Sequence, residues 1–120
     1  MEKIRRDYPD IAPGGPTHTR GIRCGDMLFI SGCTARDTSA QGARLADQLR
    51  VTLDRVTRIV AAEGGAPGDI VKITTFVTSV ADWNAHANAP ALFEEYFKGE
   101  YPTNSLVEIR ALAEKGLDVE

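Results

Sequence analysis

His18 and Cys33 are the two side chains whose meeting would matter most, because a thiol beside an imidazole can be activated as a nucleophile. Their spacing allows a meeting. Gly25-Asp26 fits a two-residue hairpin turn with glycine at the first central position, as a type II′ turn prefers. Counting outward from that turn, Cys24 faces Met27, Ile22 faces Phe29 and His18 faces Cys33, with facing Cβ atoms about 5 Å apart. The competing reading makes Cys33 a small filler and His18 a strand residue at a rim. No third orienting group is evident to complete a nucleophilic constellation.

The other chemistry-bearing stretch is Tyr101 to Glu120. It opens on a Tyr-Pro turn, runs into an alternating strand and crosses a Lys115-Gly116 turn into a second strand. Strand alternation puts Asn104, Leu106, Glu108 and Arg110 on one face and Ser105, Val107, Ile109 and Ala111 on the other. Only the second set is uniformly small or apolar, so it is expected to face the core. The mixed set then lines a cleft or a subunit interface, with Asn104 and Glu120 near any active site. His86 sits in a polar segment before Pro90 and reads as solvated. Arg5, Arg6, Arg20, Arg23 and Arg36 are matched by nearby acids and read as surface, Arg20 being the expected exception. There is no glycine-rich phosphate loop, no Cys-x-x-Cys and no metal-binding histidine spacing.

The elements that must position these residues follow from period and punctuation. Residues 1–16 are charged, then rich in Pro and Gly, and read as an extended lead-in. Thr17–Cys24 and Met27–Ser31 form the predicted hairpin, the second strand being apolar enough for burial on both faces. After a polar loop over 32–42, Leu45, Leu49, Leu53, Val56 and Val60 recur at helical spacing. Asp47, Arg50, Asp54, Arg55 and Arg58 lie largely opposite, and Gly64-Gly65 stops the helix. Ile70–Val80 is β-branched and reads as a strand. Asp82 is a candidate cap for a short helix through Trp83, and Pro90 suits the first turn of a helix ending at Phe97. The order predicts an α+β domain, a mixed β-sheet with two helices packed on one face. The sheet's other face would be bare, which an oligomer usually hides.

The 120 residues fit a single domain over 1–120, with ordinary hydrophobic (42%) and charged (26%) fractions for a globular chain. A net charge of −3 and the lack of a basic stripe argue against nucleic acid as a partner. No apolar run reaches the roughly 20 residues of a membrane span, and the first residues lack a signal-peptide core. Two cysteines imply no disulfide framework, so the reducing cytoplasm is the default location.

Several stretches together resemble the Rid family, the reactive-intermediate (enamine/imine) deaminases also called YjgF or L-PSP endoribonuclease-like proteins. They are Gly25-Asp26-Met27-Leu28-Phe29-Ile30-Ser31-Gly32, Ala61-Ala62-Glu63-Gly64-Gly65, Asp69 through Val77, Phe93-Glu94-Glu95-Tyr96-Phe97, Tyr101-Pro102 and Val107-Glu108-Ile109. The resemblance covers most of the chain after Pro16. It implies a chorismate-mutase-like fold, a homotrimer with clefts between subunits, and hydrolysis of enamines or imines to carbonyl compounds and ammonia. It also implies a small-molecule metabolite as partner and no metal or organic cofactor.

Residue by residue, the resemblance carries over unevenly. The family's carboxylate-binding arginine falls on Asn104, and a cysteine often found two residues later falls on Leu106. A tyrosine near the start falls on His18, and the water-positioning glutamate of the last strand matches Glu120. The family's asparagine ahead of the second helix falls on Pro90, with Asn88 near enough to stand in, while Ser31-Gly32 is kept. In the family the last strand runs several residues beyond the position of Glu120. Catalysis would thus fall to Glu120, His18 and Cys33, and substrate binding to Asn104, Ser31, Gly32, Asn88, Leu106 and Arg20. The arginine's replacement implies altered specificity, with His18 or Arg20 as the alternative source of positive charge. Two other readings stay open: a trimer that binds a metabolite without hydrolysing it, and the ribonuclease or translation-inhibitor activity attached to the family name.

Overall fold

The computed structural model describes all 120 residues. Strands β1 (Ile4–Arg6), β2 (Gly21–Cys24) and β3 (Met27–Ile30) form an antiparallel sheet in that order. The β2–β3 turn is Gly25-Asp26 with Gly25 at φ +59°, a conformation glycine adopts without strain. Cys24 therefore pairs with Met27 and Ile22 with Phe29, the predicted register. The lead-in does more than expected, since Ile4–Arg6 pairs with Gly21–Arg23 and Tyr8 is buried beyond it.

Helix α1 (Leu45–Ala62) stops at Glu63, with Gly64 in the left-handed region at φ +87°. After one 3-10 turn at Pro67–Asp69 come β4 (Lys72–Val77), α2 (Val80–His86), α3 (Ala89–Phe97) and β5 (Thr103–Glu108). Strand β5 runs parallel to β4, Ile73 opposite Asn104 and Val77 opposite Glu108. The cap of α2 is Ser79, whose Oγ accepts from the Asp82 N–H at 3.1 Å, so Asp82 is the capped residue rather than the cap.

Two architectural expectations are corrected. The single mixed sheet is two sheets, β1-β2-β3 and β4-β5, and three helices accompany them. Between β3 and β4 lies a cavity of about 950 Å³, floored by Leu49, Leu53, Val56 and Val60 of α1. Second, β3 is not buried on both faces: Leu28 and Ile30 pack inward, while Met27 and Phe29 are 61% and 54% exposed. The bare sheet face expected from the layer arrangement is therefore present.

Leu49, Leu53, Val77, Leu92, Phe97 and Val119 form the main core, and Tyr8, Ala12, Cys33 and Ile59 a second cluster beneath the first sheet. Helix α1 also buries polar side chains that its apolar stripe did not announce. Arg55, expected on the solvated face, is buried and donates from Nη1 to the carbonyls of Thr34 (2.7 Å) and Arg36 (2.9 Å). No helix is long and apolar enough to cross a membrane.

Candidate active site

The final residues are fixed from two sides. The Phe76 N–H donates to the Glu120 carbonyl (2.8 Å) and the Glu120 N–H to the Phe76 carbonyl (2.9 Å), with Val119 bridged to Val77. From α1, the fully buried Gln48 accepts the Asp118 N–H through Oε1 (2.8 Å) and donates through Nε2 to Asp118 Oδ2 (2.9 Å). The Thr78 hydroxyl meets the other Asp118 oxygen at 3.2 Å. Val119 faces the core, so Glu120 points to the bare side of the sheet. There its carboxylate lies against the α-carbon of Gly32. A Cβ built on Gly32 would stand 2.6 Å from the Glu120 carboxyl carbon, so the glycine makes room for the acid.

Around Gly32 the structure gathers Ser31, Cys33, Arg20 and His18. Ser31 Oγ donates to the Thr19 carbonyl at 2.6 Å, and the Ser31 N–H to the Arg20 carbonyl at 2.9 Å. Arg20, 6% exposed, donates from Nη1 to the carbonyls of Gly32 (2.5 Å) and Ser31 (3.2 Å) and from Nη2 to that of Pro13 (2.7 Å). Its Nη2 also lies 3.2 Å from His18 Nε2, a hydrogen bond only in the tautomer that leaves Nε2 as acceptor.

These contacts correct two expectations. His18 does not face Cys33, because the β2–β3 ladder ends at Gly21–Ile30 and the Arg20 guanidinium occupies the place between them, 3.9 Å from Cys33 Sγ. Burial pushes the Cys33 thiol's pKa up, against the pull of the Arg20 charge, so the thiol form is favoured and the activated pair is not built. Arg20, offered as a source of charge for a substrate, spends its fork on carbonyls inside the protein instead.

Asn104, Asn88 and Leu106 lie elsewhere. Thr75, 5% exposed, donates from Oγ1 to Asn104 Oδ1 at 2.9 Å, which puts Asn104 on the helix side of β5. The expected facing is thus reversed. As an edge strand, β5 is exposed along its whole length, and there alternation does not tell inside from outside. Asn104 opens into a groove of about 720 Å³ with His86, Asn88, Trp83 and Tyr101. Asn88, at φ +54°, is the N-terminal cap residue of α3 without a capping bond of its own side chain. Leu106 neighbours Asn104 on the same strand face and is 38% exposed.

The candidate residues therefore form two groups: Glu120, Ser31, Gly32, Cys33, Arg20 and His18 in one, Asn104, Asn88 and Leu106 in the other. Asn104 and Glu120 flank β4 on opposite edges and point to opposite faces. Two strand spacings across and three residues along, their backbones lie about 14 Å apart.

A sequence profile described as endoribonuclease L-PSP matches residues 11–120. The chain belongs to that family, the Rid or YjgF family. It is 36% identical over 108 residues to the putative reactive intermediate deaminase TdcF of Escherichia coli K12, covering 84% of this chain and 81% of that one. It is 37% identical over 101 residues to the 2-iminobutanoate/2-iminopropanoate deaminase of the same organism, covering 82% and 77%. Among solved structures, PA3499 of Pseudomonas aeruginosa, a protein of unknown function, superposes with a TM-score of 0.84 at 27% identity over 98% of this chain and 87% of that one. Within this Rid chain, Gln48, Asp118 and Thr75 are the positioning residues that sequence reasoning passed over. For Gln48 a signal existed: it interrupts the apolar stripe at a core position next to Leu49.

Proposed function

We propose that this Rid chain hydrolyses a small enamine or imine to a carbonyl compound and ammonia, in a cleft completed by a second copy within a homotrimer. The observation that carries the reading is the Glu120 carboxylate held against Gly32 on the bare sheet face, its backbone locked to Phe76 on one side. In the proposed reaction Glu120 takes a proton from a water as the oxygen adds to the imine carbon. Glu120 passes that proton to the imine nitrogen to give the amino alcohol, then carries the hydroxyl proton to the departing nitrogen as the C–N bond breaks, so that C=NH plus H₂O becomes C=O plus NH₃. Ser31 and Gly32 shape the floor, and His18 stands at the rim with Arg20 supporting it from below. The two deaminase relatives at 36% and 37% identity support the same reaction class.

The need for a second copy comes from the division of the candidate residues. A small imine cannot touch both Glu120 and Asn104 of one chain, yet β5 presents Asn104 and Leu106 at an open sheet edge. Exposed Met27, Phe29 and Val107 on the bare face offer the apolar area that association would cover. Asn104, where the family resemblance puts an arginine, is proposed to alter specificity.

Subunit complementation tests the reading. Glu120→Gln and Asn104→Leu variants should each be inactive toward an imine generated in situ. Co-expressed mixed trimers should recover about a quarter of wild-type activity, because random assembly restores that share of sites. Recovery of nothing would place the whole site within one chain. A wild type that binds the imine's keto product but never accelerates hydrolysis would favour the non-hydrolysing binding trimer. A ribonuclease role draws no support from a chain of net charge −3.

A further inference from the structure

We infer that the groove around Asn104 binds an uncharged carbonyl group, the amide or ketone end of an imine substrate, in preference to a carboxylate. The inference rests on the deaminase reading for the reaction but on this groove alone for the selectivity.

The orientation of Asn104 comes first. Thr75 is buried in the sheet, and its hydroxyl donates to Asn104 Oδ1 at 2.9 Å. The oxygen end of the amide is thereby occupied, and the end left for a ligand is Nδ2, an uncharged donor of two N–H groups. Such a donor matches a carbonyl oxygen.

The charges around it come second. The groove's lining includes one ionisable base, the exposed His86, and no lysine or arginine. The nearest strand lysine, Lys72, holds Ser105 Oγ at 3.2 Å, and Ser105 is on the opposite face of β5 from Asn104. Two acids stand on the elements that border the groove. Tyr101, which forms one wall, donates its hydroxyl to Glu94 Oε2 at 2.5 Å, and Glu108 on the Asn104 face of β5 accepts from the Val80 N–H at 2.9 Å. Arg20 and Arg55 are committed to main-chain carbonyls. A carboxylate in this groove would meet neutral donors and neighbouring acids, whereas a neutral carbonyl loses nothing by their presence.

Shape comes third. A volume of about 720 Å³ walled by Trp83 and Tyr101 exceeds what a three-carbon imino acid fills, and the rings suit a flat apolar substituent beside the C=N group.

Trp83 is the chain's one tryptophan and lines this groove, so its fluorescence reports occupancy directly. Pyruvamide and pyruvate, titrated at about pH 8, differ only in amide against carboxylate. Pyruvamide should bind at least about tenfold tighter, the factor expected when a carboxylate lacks a charged partner. Asn104→Arg should reverse the order. Thr75→Val should lower the amide's advantage toward parity while Thr75→Ser retains it, separating a positioning role from a structural one. Pyruvate binding as well as pyruvamide, or no Trp83 response to either, overturns the inference. Neither outcome touches the reaction, which is read separately as ammonia release from 2-aminoacrylate and its amide. Absence of hydrolysis with both, beside a Trp83 response to pyruvamide, would sink the deaminase reading and leave the groove's selectivity standing.

Discussion

Arg20 donates to the Gly32 carbonyl at 2.5 Å from beneath the segment that cradles Glu120, and the same guanidinium serves Ser31 and Pro13. A buried cation without a carboxylate partner is here sustained by main-chain oxygens. Replacing it strands them. Arg20→Met should cost about 3 kcal/mol, since each of the part-buried carbonyls of Gly32, Ser31 and Pro13 loses a charged donor at on the order of 1 kcal/mol apiece. Urea unfolding would read this as a lower midpoint at unchanged slope, and a loss under about 1 kcal/mol would mean that water replaces the guanidinium.

Gly32→Ala separates stability from activity. Gly32 is exposed and its φ is outside the left-handed region, so the variant should fold with stability within about 1 kcal/mol of wild type. The added Cβ must nevertheless push the Glu120 carboxylate aside. Imine hydrolysis should fall about a hundredfold, the scale set by a misplacement of roughly 1 Å. Unchanged turnover in a folded Gly32→Ala protein would remove Glu120 from the mechanism.

Gln48 acts at one remove, through Asp118. Gln48→Leu preserves the volume but leaves the Asp118 N–H and carboxylate short of partners, at a cost of about 2–3 kcal/mol. Because Glu120 lies two residues on, kcat should fall more than KM rises. Equal losses in both, or none in kcat, would limit Gln48 to a stabilising role.

Tyr8 supplies a pH signature. Burial pushes its phenol from 10.0 up to about 12, helped by its hydrogen bond to Glu63 at 2.6 Å. The folded state thus holds this proton more tightly than the unfolded chain. The resulting stability is fully present below pH 10.0 and is lost as pH rises through about 12. Tyr8→Phe should lie below wild type at neutral pH by about 2 kcal/mol and converge on it over that alkaline window. Melting curves that stay parallel through it would contradict the assignment.

Much of the fold was legible because its signals are local. The α1 stripe and its Gly64 stop, the Gly25-Asp26 turn and Pro90 in the first turn of α3 each depend on residues within a few positions of one another. The site was less so. Arg55 read as surface, and Arg20 as a source of charge for a substrate, because a guanidinium's burial depends on where irregular loop carbonyls fall, and no periodicity encodes that. The His18–Cys33 pairing failed because a perfect ladder was extended past Gly21, where Arg20 turns inward. Ile4–Arg6 carries one apolar residue and became a strand only through its neighbour β2.

The reciprocal hydrogen bonds between Phe76 and Glu120 make the acid's location a digital quantity. A strand cannot drift along its partner by a fraction of a residue and keep its ladder. The next in-phase register lies two residues, about 7 Å, away, and a single-residue step turns the side chain to the other face. The carboxylate is therefore either seated on Gly32 or absent from the cleft altogether. Insertions or deletions between Gly116 and Glu120 should switch the site off rather than weaken it by degrees.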